Sequence, residues 1–284
     1  PTAVRSLALF YNTRLLEEAG IDGPPETLDE MLEIGAQLTE RDGAGNITQA
    51  GLTMGMTAQD HHWFREGLVR QFGGEPYLDD YRTVNYNTPE GIEAMEFYVG
   101  LGEEGGIGAI GFMEEPQAAF KAGRAGMHID GSFRIGSLNN TRGLEWGVTE
   151  LPATADGMRS NYSSYWVNAI TTKAEGEKYE AAVKFMQYIT SDEAMQIWLD
   201  VVGELPAKPS VGLTEANASN ETFGPFIRGL EYANTTKFVN ESAQRQFLID
   251  AVERVKLEGM SVADSVAIAA EAEQELLDDF YASN

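Results

Sequence analysis

The segment from Ala118 to Phe133 constrains the fold more than any other stretch of this sequence. Just before it, Pro116 suits the first position of a helix, because its ring presets φ and its missing N–H is not needed there. Gly123 follows where a helix can end in a left-handed residue, a conformation that glycine adopts at least cost. The residues from Ala125 to Asp130 then predict a short strand with apolar side chains alternating along it. The segment therefore predicts a helix that turns directly into a strand.

Phe133 follows the end of this predicted strand, after Gly131 and Ser132. Ligands of α/β proteins usually lie at the ends of strands. An aromatic side chain there either closes the core or forms a platform for a ligand. The segment alone leaves both interpretations open.

The rest of the chain alternates strand-like and helix-like patterns, which predicts an α/β protein. Thr27 to Glu30 has the pattern of a capping box, and Thr88 followed by Pro89 is a second helix start. Further strands are predicted at residues 7–11, 50–57, 146–151 and 166–171, and further helices at 14–19, 28–40, 60–72, 89–99, 179–189, 192–202, 244–258 and 261–280.

The charge of the chain excludes several classes of partner. Its 45 Asp and Glu residues outnumber its 20 Lys and Arg residues, giving a net charge of -25. Nucleic acids and anionic lipid surfaces both require basic faces, so we expect neither as a partner. The chain has no cysteine, which excludes disulfides and thiol chemistry. It does not begin with Met and shows no signal region, so we expect a processed or truncated chain.

The motifs for enzyme chemistry are weak. Gly100 to Gly105 matches G-x-G-x-x-G by letter, but it follows a helix and contains Glu103 and Glu104, which would repel a pyrophosphate. Asp60, His61 and His62 are adjacent, and adjacent residues on a helix point in different directions. We therefore expect no catalytic residue, no cofactor and no metal.

Several blocks in a fixed order resemble one family. The blocks are residues 9–20, 24–30, 87–94, 118–133, 146–152, 181–185, 190–194 and 203–207. Together they are similar to the family 1 extracellular solute-binding proteins of ABC importers, which include the maltose-binding and other sugar-binding proteins. Members of that family carry roughly another hundred residues before the first block, and these form most of their N-terminal lobe.

The resemblance implies a two-lobed periplasmic-binding-protein fold of the type II, hinge-closing kind, truncated here to one nearly complete lobe and part of the other. Residues 1–5 would form the first hinge crossing. Residues 6–150 and 204–284 would form the C-terminal lobe, and residues 151–203 would return to the N-terminal lobe.

The resemblance also implies a function. We expect an extracytoplasmic substrate-binding subunit of an ABC transporter, a monomer that captures a sugar or oligosaccharide between its lobes and delivers it to the membrane permease subunits. It would be periplasmic or held at the cell surface, with or without a lipid anchor. The alternatives are the same fold binding a glycerol phosphate or polyamine, a sensor, and, as an enzyme, a glycoside hydrolase.

Sugars present an apolar ring face and a rim of hydroxyl groups, so their sites need aromatic plates and a few polar groups. The resemblance places Phe133 as a stacking aromatic, Trp63 as a second one, and Tyr165 or Trp166 as a contact from the return segment. The polar candidates are His61, Arg134, Arg5 and Gln246.

Overall fold

The chain forms an eight-stranded mixed sheet with helices packed on both faces. The structure, a computed structural model, describes residues 1–283. The strands are β1 (Ala3–Asn12), β2 (Glu40–Arg41), β3 (Ile47–Leu52), β4 (Ala125–Gly131), β5 (Trp146–Thr149), β6 (Asn161–Trp166), β7 (Leu205–Pro206) and β8 (Ala233–Asn234).

The helices include several single turns between the longer elements. They are α1 (Thr13–Glu18), α2 (Leu28–Leu38), α3 (Asp60–His62), α4 (Val69–Gln71), α5 (Pro89–Gly100), α6 (Pro116–Lys121), α7 (Ile135–Asn139), α8 (Glu177–Ile189), α9 (Asp192–Val202), α10 (Pro209–Gly212), α11 (Glu215–Ala218), α12 (Gly224–Gly229), α13 (Glu241–Glu258) and α14 (Val262–Ser283). A π-helical segment, Trp63–Leu68, joins α3 to α4, and 3₁₀ turns lie at Ser132–Arg134 and Leu230–Tyr232. None of the helices in residues 1–283 combines the length and the apolar character needed to cross a bilayer.

The long strand β1 changes partners halfway along its length. Its second half, from Leu7, pairs antiparallel with β4 and β5. Its first half, up to Ser6, pairs antiparallel with β6 and β7. The side chain of Asn161 bridges the change, since it accepts from the Leu7 N–H at 3.1 Å and donates to the Leu7 carbonyl at 2.8 Å. The exchange of partners leaves a gap beside residues 5–7.

Alternation along β1 places its side chains in two cores. Leu7 and Leu9 join the larger cluster, which also contains residues of α2, α5, α13 and α14. Ala8 and Phe10 join the second cluster, on the other face of the sheet. The predicted strand at residues 7–11 is therefore confirmed, and it is longer than the pattern indicated.

The predicted helix starts are also confirmed. The hydroxyl group of Thr27 accepts a hydrogen bond from the Glu30 N–H at 3.1 Å, and the Glu30 carboxylate accepts from the Glu26 N–H at 2.7 Å. Thr88 accepts from the Gly91 N–H at 3.3 Å, with Pro89 in the first turn. The Thr27 and Thr88 bonds each satisfy an N–H that the helix itself leaves unpaired, and the Glu30 bond ties the chain just before the N-cap to the first turn.

Several predicted boundaries are wrong. The strand predicted at 50–57 is β3, Ile47–Leu52, and the helix predicted at 60–72 divides into α3, the π-helical segment and α4. Two further errors bear on the site. The strand predicted at 166–171 lies at β6, five residues earlier, because pairing with β1 begins at Asn161. The helix predicted from Gln244 begins at Glu241, because the Asn240 side chain accepts from the Ala243 N–H at 3.2 Å and so caps α13. Both shifts bring additional side chains to the gap beside β1.

Apolar side chains of α8 and α9 are uncovered. The α8 helix buries none of its residues, and its Tyr179, Phe185 and Tyr188 are exposed. On α9, Trp198 and Val201 are exposed as well. This apolar face lies within residues 151–203, for which the resemblance implies a return to the N-terminal lobe.

Candidate functional site

A cavity of about 350 Å³ lies where β1 exchanges partners. The volume is at the lower end of the range for ligand pockets. Every lining side chain except that of Leu7 is aromatic or polar. The lining consists of Arg5, Ser6, Leu7, Gln59, His62, Phe133, Tyr162, Ser164, Tyr165, Trp166 and Glu241.

Five segments distant in sequence supply this lining, and one of them, at the start of α3, contributes Gln59 and His62. Residues 5–7 come from β1, and residues 162–166 come from β6, its neighbour on one side. Phe133 follows β4, the neighbour on the other side. Glu241 begins α13. The cavity therefore exists only in the folded chain.

The Arg5 guanidinium lies over two of the aromatic rings. Its central carbon is 4.5 Å from the centroid of the Phe133 ring and 4.8 Å from that of Trp166. Arg5 also pairs with the Glu204 carboxylate through two hydrogen bonds, one from Nε at 3.1 Å and one from Nη2. The bidentate pair fixes the plane of the guanidinium. Nη1 takes no part in this pair.

The backbone of Gly131 allows the Phe133 ring to lie where it does. A Cβ atom on Gly131 would be 2.3 Å from Cε1 of Phe133. The residue has φ of -89° and ψ of 166°, which any amino acid adopts. Glycine is therefore required for the close approach of the ring and not for a backbone conformation.

His62 and Tyr162 form a stacked pair on the cavity wall. Their ring centroids are 3.7 Å apart with an angle of 7° between the planes. Burial and the nearby Arg65 and Arg245 lower the pKa of His62 well below its ordinary value, so the imidazole is neutral at neutral pH. Burial raises the pKa of Tyr162 to about 12, so its hydroxyl keeps its proton. The pair presents a neutral, polar surface.

Four of the residues singled out from the sequence lie on this wall: Phe133, Tyr165, Trp166 and Arg5. Tyr165 and Trp166 are 55% and 54% exposed, so their rings remain accessible to a solute. Whether these four bind a ligand stays a prediction.

The structure corrects the placement of Trp63 and His61. Trp63 is 1% exposed and packs edge-on against Tyr98 in the larger core, with ring centroids 6.2 Å apart. His61 is also buried, between His62 and Phe238. The neighbour His62 occupies the wall instead, because side chains of adjacent helical residues point about 100° apart.

Arg134 and Gln246 also lie away from the cavity. Arg134 pairs with Asp130 at 2.6 Å and with the Gln117 side chain. Gln246 is on the exposed face of α13, where it donates to Asp250 at 2.7 Å.

The lining residues that sequence reasoning missed are Ser6, Leu7, Gln59, His62, Tyr162, Ser164 and Glu241. The signal for Tyr162 and Ser164 was present, because strand alternation puts them on one face with Trp166. Helical spacing similarly puts Gln59 and His62 on one face. The error was in the boundaries of the strand and in the choice of helix face.

One group of three side chains in the described part of the chain brings possible metal ligands together: His61, His62 and Glu241, with ligand atoms within 4.8 Å of one another. The two imidazole rings are only 3.7 Å apart, whereas two imidazoles on one tetrahedral ion spread apart around it. Arg65 and Arg245 add positive charge. The arrangement does not favour a metal, and the expectation of none stays a prediction.

A second groove, of about 730 Å³, is more open and polar. It includes Trp146 and Tyr11 with Asn220, Glu221 and Arg228. Trp146 packs on Phe10, with ring centroids 5.5 Å apart, so part of its ring is committed to the second core. The groove is a competing location for a solute.

Comparison with known sequences identifies related proteins. A family model described as bacterial extracellular solute-binding protein matches residues 1–225. A relative from Brucella abortus, designated a binding protein, is 24% identical over 231 residues, which is 80% of this chain and 54% of the relative. The chain thus spans about half the length of the curated relatives it matches first.

Solved structures share the fold. The GacH receptor of Streptomyces glaucescens, described unliganded and with acarbose, superimposes with a TM-score of 0.79 at 23% identity, covering 98% of this chain and 71% of that one. The UgpB protein of Mycobacterium tuberculosis, in complex with glycerophosphocholine, gives 0.79 at 19% identity, covering 98% and 70%. At these identities the likeness shows a common fold and leaves the ligand open.

Proposed function

The chain belongs to the family of bacterial extracellular solute-binding proteins, and we propose that it is the sugar-capturing component of an ABC importer. In this proposal it acts outside the cytoplasm, takes a sugar or oligosaccharide into the cavity beside β1, and passes it to membrane permease subunits. The observation that carries the proposal is the lining of the cavity, which combines aromatic rings with polar groups.

The chemistry of the lining suits a carbohydrate. Tyr165 and Trp166 offer exposed rings for the apolar face of a sugar. Ser164, Gln59 and the neutral His62 offer hydrogen bonds to hydroxyl groups without a strong charge. The GacH receptor, which has the same fold, is described with a carbohydrate-like ligand, acarbose.

The uncovered face of α8 and α9 supports the layout proposed for the lobes. We assign residues 151–203 to a first lobe, and residues 6–150 and 204–284 to the second, with residues 1–5 as a hinge crossing. Exposed Tyr179, Phe185 and Tyr188 would pack against the rest of the first lobe, since contiguous apolar patches usually mark an interaction surface. Closure of two lobes about hinge strands would then trap the solute.

A second candidate solute is an anion such as a glycerol phosphate. The observation that favours it is Arg5, a cation on the cavity wall. UgpB of Mycobacterium tuberculosis is described with glycerophosphocholine. Glycoside hydrolysis is less well supported, because it requires two facing carboxylates and Glu241 is the single acid in the described lining.

A thermal-unfolding screen tests the proposal. A ligand that binds only the native state stabilises it by about 2.7 kcal/mol at a hundredfold excess over Kd. We expect a sugar to raise the unfolding midpoint, and we expect Phe133→Ala to abolish that rise. Trp146→Ala, in the second groove, is the matched control and should keep it.

Two results would contradict the proposal. One is a midpoint that rises only with glycerol phosphates or polyamines. The other is a sugar-induced rise that survives in Phe133→Ala and is lost in Trp146→Ala, which would move the site to the second groove.

A further inference from the structure

We propose that Arg5 determines the specificity of the cavity. Its guanidinium fills a cage formed by the Phe133 and Trp166 rings and the Glu204 carboxylate, and it thereby excludes cationic solutes from the cavity. The inference rests on the proposed function only in that it places solute binding in this cavity. It names the class of solute that the site rejects and the residue that rejects it.

The surroundings of Arg5 are those of a cation-binding cage. Such cages combine aromatic faces with an acid, and cations lie within about 6 Å of the ring centroids. The Phe133 and Trp166 rings meet this criterion, at 4.5 and 4.8 Å from the Arg5 guanidinium. The Glu204 carboxylate supplies the negative charge, and its side chain is 12% exposed. A small quaternary ammonium group would need the same three partners.

Arg5 also stands between two cavities. The main cavity lies on one side. A smaller one, of about 210 Å³, is lined by Thr2, Ala3, Arg5, Trp166, Trp198 and Glu204. Arg5 and Trp166 are the residues common to both linings. Removing the Arg5 side chain would join the two spaces and free the Glu204 carboxylate to pair with a solute.

While Arg5 occupies the cage, the cage offers a solute no unpaired negative charge. Glu204 is already paired through two hydrogen bonds, so an entering cation would have to displace a bonded guanidinium. Like-charge repulsion from Arg5 adds to this cost. Hydroxyl oxygens and anions meet no such obstacle, since Nη1 of Arg5 remains a donor outside the pair. The same side chain therefore favours oxygen-rich solutes and rejects cations.

Choline and tetramethylammonium are suitable probes, because their charge is quaternary and cannot be removed by titration. Affinity is measured by isothermal titration calorimetry for the whole chain and for Arg5→Met, which keeps the length of an unbranched stem and removes the charge. We expect no measurable binding to the wild type and, in the variant, an affinity at least tenfold above the detection limit. Tenfold corresponds to about 1.4 kcal/mol, which a desolvated cation–aromatic contact can supply.

Three further variants define the mechanism. Arg5→Gln is a second neutral replacement, in case Arg5→Met does not fold, and should show the same gain. Arg5→Met combined with Glu204→Gln should lose the gain, because the acid of the cage is gone. Arg14→Met removes another paired arginine, bonded to Glu18 and away from the cavity, and should behave as wild type.

The outcomes separate this inference from the proposed function. Choline binding by the wild type, or no gain in either folded Arg5 variant, would overturn the role of Arg5. An equal gain in Arg14→Met would do the same, because it would show a general effect of net charge. A gain confined to the Arg5 variants would support the inference even if no sugar bound to the wild type.

Discussion

Replacing Glu273 by glutamine is expected to destabilise the chain by about 3–5 kcal/mol, because it leaves a buried cation without its counter-charge. Glu273 lies on α14 and pairs with Arg65 of the π-helical segment at 2.7 Å, and neither side chain is exposed. Glu273 also accepts hydrogen bonds from Tyr86 at 2.8 Å, from Gln244 at 2.8 Å and from Tyr77. The carboxylate therefore holds three separate elements around one buried charge.

The magnitude follows from how Arg65 is satisfied. Only its Nη2 forms hydrogen bonds, to Glu273 and to the Gln244 carbonyl, both at 2.7 Å. Its Nε and Nη1 are buried without a partner among the described residues. Glu273 thus supplies nearly all the compensation for the buried charge. For a chain of this size, the loss corresponds to a fall in the unfolding midpoint of about 6–10 °C.

Urea unfolding followed by circular dichroism measures this loss. Glu271→Gln, on the same helix but exposed, is the matched control and should lie within about 0.5 kcal/mol of the wild type. If Glu273→Gln and Glu271→Gln unfold at the same urea concentration, Arg65 and Glu273 are not a buried pair and the packing of α14 described here is wrong.

Two further predictions concern the site and its support. Gly131→Ala should displace the Phe133 ring, since the new Cβ would lie 2.3 Å from it. Calorimetry should then show about tenfold weaker binding of the solute found by the screen. The control Gly136→Ala has open space around its new Cβ and should bind the solute as the wild type does. Equal affinities of the two variants would contradict the placement of the Phe133 ring. Burial raises the pKa of Asp60 to about 6, so the folded chain holds a proton that the unfolded chain releases near pH 4. Asp60→Asn is the reference, because its side chain does not titrate. The free energy of unfolding of the wild type relative to this variant should be largest below pH 4 and should fall by about 3 kcal/mol as the pH rises from 4 through 6. A difference in urea unfolding that does not change with pH would refute this.

The sequence predicted the elements whose signals are local. The alternation of residues 7–11 and the caps at Thr27 and Thr88 depend on neighbours in the chain, and all three are confirmed. The placement of Phe133 beside the cavity also followed from a local pattern, the end of a strand.

Features that depend on distant partners could not be predicted in this way. Asn161 starts β6 because its side chain replaces a missing strand partner of Leu7, 154 residues away. Arg65 and Glu273 are 208 residues apart, and no local pattern links them. Trp63 and His62 are adjacent, and only the packing of the helix decides which of them faces the core.

The central claim, that solute binds in the cavity beside β1, is tested most directly by the indole N–H signals of the four tryptophans. Trp166 lines the cavity and Trp146 lines the second groove. Trp198 lines the adjoining space, and Trp63 is buried in the core. Each signal in a ¹⁵N-labelled chain can be assigned by a Trp→Phe variant.

Titration with the sugar from the screen should shift the Trp166 signal and leave that of Trp146 unchanged. A shift of Trp146 with Trp166 unmoved would place the solute in the second groove and contradict the account.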